Sequence, residues 1–125
     1  LTHCQAQQSR CDHLVLCGDF NTAHRSIDLA RPQSNRNTTG FLPAERAWID
    51  QLIHAGYVDI FREIHGEIEG KYTWWSNRKG VRERNIGWRI DYHFVSTSMR
   101  SRVRDVYHLD EIFGSDHCPL ALEFE

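Results

Sequence analysis

Two short polar stretches, one near each end of the chain, carry residue types that can hold or hydrolyse a charged group. In Gly114-Ser115-Asp116-His117-Cys118-Pro119 a carboxylate stands beside an imidazole, between a flexible Gly-Ser pair and a proline. The alternation in Leu120-Ala121-Leu122-Glu123-Phe124 predicts a strand, so the Asp-His pair lies on a loop pinned to the start of a sheet strand. Neighbours in an extended segment point in different directions, which lets one hold a metal while the other faces a phosphate or a water. Gly18-Asp19-Phe20-Asn21 follows the apolar run Leu14-Val15-Leu16-Cys17. Asp19 and Asn21 alternate, and in extended geometry a carboxylate and a carboxamide converge at the strand's end. Each stretch alone reads better as a surface turn, the Asp19–Asn21 one held by Asx hydrogen bonds. The second cluster of the same kind shifts the reading towards a site.

A third stretch has a different character. From Asn77 to Arg89 the chain turns basic, with Arg78, Lys79, Arg82, Arg84 and Arg89 opposed only by Glu83. Cations interleaved with Trp75 and Trp88 are a footprint for a phosphate backbone, and equally the pattern of a solvated charged loop.

The elements that must position these residues are short. The sequence has 125 residues, with Lys+Arg 15 against Asp+Glu 17, so it forms one compact unit at most and has no global basic field. No apolar run is long enough to span a membrane, and the expected location is the cytoplasm of a bacterium or a nucleus. Cys4, Cys11, Cys17 and Cys118 form no C-x-x-C pair and read as reduced thiols rather than zinc ligands. The polar start reads as the end of a helix, and Leu14 to Cys17 as a strand buried on both faces. Residues 22 to 40 form a long irregular loop containing Arg25, Arg31, Asn35 and Arg36. Pro43 opens a helix whose stripe of Trp48, Ile49, Leu52 and Ile53 reads as core, and Gly56 ends it. Val58 to Ile64 reads as a second short helix. Tyr72 to Trp75, Ile90 to Val95, Val103 to Leu109 and Leu120 to Phe124 read as strands.

Taken together, Gly18-Asp19-Phe20-Asn21, Asn85-x-Gly87-Trp88-Arg89-Ile90-Asp91-Tyr92 and Ser115-Asp116-His117-x-Pro119 resemble the exonuclease III type of abasic-site endonuclease, within the endonuclease/exonuclease/phosphatase superfamily. The resemblance runs in order from about Leu14 to the end. The first and last motifs are superfamily-wide. The middle one, with Gly40-Phe41-Leu42-Pro43-x-Glu45-Arg46, belongs to the DNA-repair branch.

The resemblance implies an α/β fold of the α+β kind: half of a four-layered sandwich, with a mixed, mostly antiparallel sheet and flanking helices. It implies that Asp19 activates the attacking water, that Asn21 orients Asp19 and contacts the phosphate, and that His117, hydrogen-bonded by Asp91, contacts the phosphoryl oxygens. Asp116, with Asp19 and Asn21, is implied as the metal-binding set for Mg²⁺, or for Mn²⁺ in its place. Trp74 and Trp88 are implied as walls of a pocket for a flipped-out abasic sugar, and Asn35, Asn85, Arg82 and Arg84 as DNA contacts. The implied reaction is hydrolysis of the phosphodiester 5′ of abasic sites in duplex DNA, with 3′–5′ exonuclease and 3′-phosphatase activity.

Members of the family are roughly twice this length, the size of a full two-sheet domain. Their first half, which carries a metal-binding glutamate, has no counterpart here. The N-terminal half is therefore an expected partner, and the chain alone is expected to self-associate or fold poorly, with an apolar face drawn from Leu14-Val15-Leu16, Tyr92, Phe94 and the closing strand. Two other readings stand beside this one: a superfamily phosphodiesterase acting on RNA ends or on inositol or lipid phosphates, and a non-catalytic DNA-binding fragment.

Overall fold

A computed structural model describes residues 1–125. In chain order the elements are α1 (Thr2–Gln8), β1 (Val15–Asp19), α2 (Pro43–His54), β2 (Tyr57–Asp59), α3 (Ile60–His65), β3 (Trp74–Trp75), β4 (Gly87–Trp88), β5 (Asp91–Ser96), β6 (Val103–His108) and β7 (Leu120–Phe124). Three further 3-10 turns cover Ser26–Asp28, Gln33–Asn35 and Thr97–Arg102. The strands form a three-stranded sheet in the order β1-β5-β2 and two ribbons, β3-β4 and β6-β7. Every ladder is antiparallel, in line with the expected mostly antiparallel α/β architecture.

The central strand β5 explains the layering, because successive residues face opposite sides. Tyr92 and Phe94 turn to one side and pack with Ile49 and Leu52 of α2 and with Tyr57. Val95 turns to the other and joins Ile60, Phe61, Met99, Val103 and Val106. The register sets Val15 against Val95, Cys17 against His93 and Asp19 against Asp91. One sheet face therefore runs from apolar at Val15 to acidic at Asp19. The helix on the other face has clear limits. Pro43 occupies the first turn of α2, Glu45 accepts the Leu42 amide at 3.0 Å, and the Gly56 amide closes the end on the Ile53 carbonyl at 3.0 Å.

The β3-β4 ribbon requires glycine at one position. A Cβ on Gly87 would lie 2.5 Å from Trp75 Nε1 and 2.7 Å from Tyr72 Cβ, so no other residue lets the two strands close.

Several expectations are corrected. β1 is an edge strand with Cys17, Gly18 and Asp19 exposed, not buried on both faces, because core packing reaches only Leu14 to Leu16 at its start. Residues 58 to 64 are not one helix: Tyr57–Asp59 pairs with β5, and α3 starts after it with Asp59 as its cap. Trp48 and Ile53 are exposed, leaving Ile49 and Leu52 as the buried stripe of α2. Tyr92 and Phe94 are not bare, because α2 covers them; in the closing strand Phe124 is exposed as expected, and Phe113 in the loop before it is more exposed still.

Candidate active site

The edge of the sheet is where the two polar motifs meet. His117 Nδ1 lies 2.8 Å from Asp91 Oδ2, and its Nε2 lies 4.0 Å from Asp19 Oδ2. An ionised carboxylate only accepts, so Nδ1–H donates to Asp91 and Nε2 is left facing Asp19. The ligating atoms of Asp19, Asp91 and His117 all lie within 4.8 Å of one another. Asp91 is the most enclosed, with 14% of its side chain exposed against 30% for His117 and 35% for Asp19.

Backbone pairing produces this convergence. Asp19 and Asp91 are cross-strand partners at the end of β1-β5. His117 arrives from the other side, since the Trp75 amide donates to the Asp116 carbonyl at 3.0 Å and the Cys118 amide to the Thr73 carbonyl at 2.8 Å. Thr73, fully buried and read in sequence only as part of a strand, ties the two together. Its Oγ1 accepts the amides of Ile90 at 3.0 Å and Asp91 at 3.1 Å. No sequence signal distinguishes it from any other strand threonine.

Asn21 does not extend the strand. It has φ 49, and its amide donates to Asp19 Oδ1 at 2.7 Å. The Asx turn and the site are thus the same feature: Asn21 holds Asp19 through its backbone and leaves its side chain on the cleft. Asp116 departs from the expected metal set. Its Oδ2 accepts the Trp74 indole N–H at 3.1 Å, which holds the carboxyl below the usual carboxylate range, and it is not among the ligating atoms that converge within 4.8 Å.

A cleft of about 800 Å³ opens from this group. Trp74 and Trp88 line it with ring centroids 6.4 Å apart and nearly perpendicular planes. Asn21, Asn35 and His117 line it too, and Arg31, Arg78, Lys79 and Arg84 make its rim basic, while no acidic residue is among the lining side chains. Gly40 gives Trp88 room, since a Cβ there would sit 3.1 Å from the indole.

The basic stretch divides into groups with different jobs. Arg84 reaches the cleft. Asn85 does not: its amide accepts Trp75 Nε1–H at 2.9 Å and donates to the Gly70 carbonyl at 2.8 Å, so both ends are used to fasten the turn. Arg82 donates to the carbonyls of Ser115, Asp110 and Ile112 instead of facing the cleft. Arg89 is 1% exposed and holds Asp59 through two bonds of 3.0 and 2.6 Å and Asp28 at 2.8 Å. Arg62 closes the network on Asp28 at 2.6 Å. Burial pushes the Asp28 carboxyl up, but Arg89 and Arg62 more than offset this and leave it lowered.

Two carboxylates and an imidazole converge beside a basic, aromatic-walled cleft, and these groups suit a phosphate ester. The chain belongs to the Endonuclease/Exonuclease/phosphatase family, whose description matches residues 3–117. Enzymes of this family are metal-dependent, and the oxygen donors of Asp19 and Asp91 suit a hard cation, although two carboxylates alone do not fill its shell.

Among curated relatives, the chain is 49% identical over 109 residues to an exodeoxyribonuclease of Bacillus subtilis, covering 87% of this chain and 43% of that protein. It is 43% identical over 109 residues to the DNA repair nuclease APEX1 of Danio rerio, covering 87% of this chain and 35% of that protein. Among solved structures, a 3′ phosphatase from Neisseria bound to a product DNA hairpin superposes with TM-score 0.91 at 32% identity, covering 97% of this chain and 48% of the other. An AP endonuclease from Leishmania major superposes with TM-score 0.81 at 36% identity, covering 86% and 34%. The chain thus spans less than half the length of each. No helix is long and apolar enough to cross a membrane.

Proposed function

We propose that these residues carry the phosphate-binding half of a metal-dependent DNA-repair nuclease that hydrolyses the phosphodiester 5′ of abasic sites in duplex DNA, and that also trims 3′ ends at the same centre. The observation that carries this reading is that His117, in contact with Asp91 and facing Asp19, lines a cleft walled by Trp74 and Trp88 that has cations and no acidic residue among its lining. The remaining half of the catalytic unit, expected N-terminal to it, would complete the metal site.

The chemistry follows from the side chains. Hydrolysis needs a water that loses its proton and relief of the charge growing on the phosphoryl group. Asp19 is exposed and takes the proton, held in place by the Asn21 amide. In its protonated form His117 keeps Nδ1–H tied to Asp91 and has Nε2–H left to donate to the phosphoryl oxygens. Asp19 would hold Mg²⁺, or Mn²⁺ in its place, and the ion would neutralise phosphoryl charge and stabilise the leaving oxygen. The paired indoles form an aromatic wall of the cleft suited to a sugar without its base, and a base-less nucleotide flips out at least cost.

The test presents the complete protein with three substrates: duplex bearing a tetrahydrofuran abasic analogue, the matched intact duplex, and an inositol phosphate. Incision confined to the abasic duplex supports the reading. Turnover of the inositol phosphate instead moves the chain to the small-molecule branch of the superfamily, and binding of duplex without turnover makes it a DNA-binding module.

A further inference from the structure

Arg82 looks in sequence like any other cation of the basic stretch, but its side chain is half-buried and turned inward. Nη1 donates to the Ser115 carbonyl at 3.0 Å, and Nη2 to those of Asp110 at 3.1 Å and Ile112 at 2.9 Å. The guanidinium lies between two rings, 4.5 Å from the centroid of Trp75 and 4.2 Å from that of Phe113. These bonds use most of a donor fork that a phosphate would otherwise need.

The segment it grips is otherwise held only near its start, by Lys71 on Asp110 at 3.3 Å and by the Leu109 amide on the Pro119 carbonyl at 2.8 Å. Residues 109 to 115 lie between β6 and β7 with no regular structure, and Phe113 is 73% exposed. Gly114, at φ 118, adds backbone freedom where the chain turns towards the site. Ser115 then makes the connection to the chemistry, because its carbonyl rests on Arg82 while its Oγ receives the His117 amide at 3.1 Å. On the far side of Asp116 the chain is fixed by the Trp75 amide. Trp75 therefore anchors the Asp-His pair through its backbone and backs Arg82 with its ring.

We propose that Arg82 is a positioning residue: it clamps the 109–115 loop so that His117 meets Asp91 and Asp19, and it is not a contact to the DNA backbone. The assignment rests on the reading of His117 as part of the hydrolytic centre. Displacing a catalytic group by about 1 Å can cost roughly 10²-fold in rate. Lysine keeps the charge of Arg82 but cannot reproduce three forked bonds between two rings.

The test compares Arg82→Gln and Arg82→Lys with the wild type in the complete protein, measuring incision, duplex affinity against salt, and amide hydrogen exchange. For both variants, kcat on abasic duplex should fall by roughly 10²-fold, with Kd within about twofold and an unchanged salt slope. Exchange should accelerate at residues 112 to 117 and not in β5. A phosphate contact gives the opposite pattern and overturns the proposal: Arg82→Lys behaves as wild type, and Arg82→Gln weakens binding and lowers the salt slope by about one. Unchanged exchange at 112 to 117 also overturns it. If the wild type incises no abasic duplex, the functional reading fails, while the exchange measurement still decides the clamp. Should Arg82→Gln not fold, Phe113→Ala removes one stacking face alone and must show the same local acceleration; otherwise the clamp is refuted.

Discussion

Arg89 and Asp91 stand next but one in the chain, yet they belong to clusters with opposite properties. Arg89 joins Asp28, Asp59 and Arg62 in a network that matches two acids with two guanidiniums, its members between 0 and 11% exposed. Asp91 joins Asp19 and His117 in a group with two acids and one imidazole, between 14 and 35% exposed. The first is closed and charge-balanced, so it has nothing left to offer a ligand. It pins the Asp28 turn and β2 to the start of β5. The second is open and short of positive charge, so it can accept a cation or a proton and release either. Fixed structure on one side of Ile90 supports adjustable charge on the other.

The comparison breaks most sharply at His117. His117→Asn should lower kcat by roughly 10²–10⁴-fold while leaving stability and duplex affinity close to wild type. Asp91→Asn should produce a smaller loss, and the double variant should be no worse than His117→Asn alone, because Asp91 acts through the ring. Steady-state incision with a thermal melt on each variant checks this. Additive losses would give Asp91 a separate job.

The buried cluster should respond in the reverse sense. Arg89→Met leaves Asp28 and Asp59 in a dry site with Arg62 as their one remaining cation, and breaking such a pair costs about 3–5 kcal/mol of stability. Denaturant unfolding measures it. Activity of the fraction that remains folded should change little, since Arg89 does not touch the cleft.

A smaller effect sharpens the contrast between two histidines. His108 is buried and stacked on Phe61 at 4.0 Å. Burial first, then the charges of Arg89 and Lys71, push it down to about 3. The unfolded chain binds a proton there near its ordinary value of 6.5, and the folded chain refuses it until about 3. Stability is therefore complete above the unfolded value and declines as pH drops through that window, by up to about 1.4 kcal/mol per pH unit from this group. His108→Gln should flatten that part of the stability–pH curve, which chemical denaturation at stepped pH will show. An unaltered slope would mean that other groups carry the acid sensitivity.

Which parts of this were legible in sequence follows from how local they are. Asp19, Asn21, Asp91 and His117 lie in compact motifs, and Trp74 and Trp88 flank the basic stretch, so their shared location can be read before any fold is known. The stretch itself is not legible, because Arg82, Arg84 and Arg89 have the same charge and similar neighbours. Only tertiary partners separate a clamp, a cleft residue and a buried ion pair, and the partners of Arg89 lie 61 and 30 positions away. The β2 strand is missed for a related reason: three residues show no period, and β5 supplies the pairing that makes them a strand. The Asp116 carboxylate is bonded by the Trp74 indole, a partner 42 positions away that no local pattern announces.

The account stands most directly on Asp19. Single-turnover incision of a duplex bearing one abasic analogue, by the complete protein and by its Asp19→Asn variant, isolates the chemical step from binding and product release. The substitution keeps the shape and removes the base, so the rate should fall by roughly 10²–10⁴-fold at saturating protein, with duplex affinity unchanged or slightly tighter. Incision by Asp19→Asn within about threefold of wild type would contradict the account and move the hydrolytic centre away from the Asp19–Asp91–His117 group.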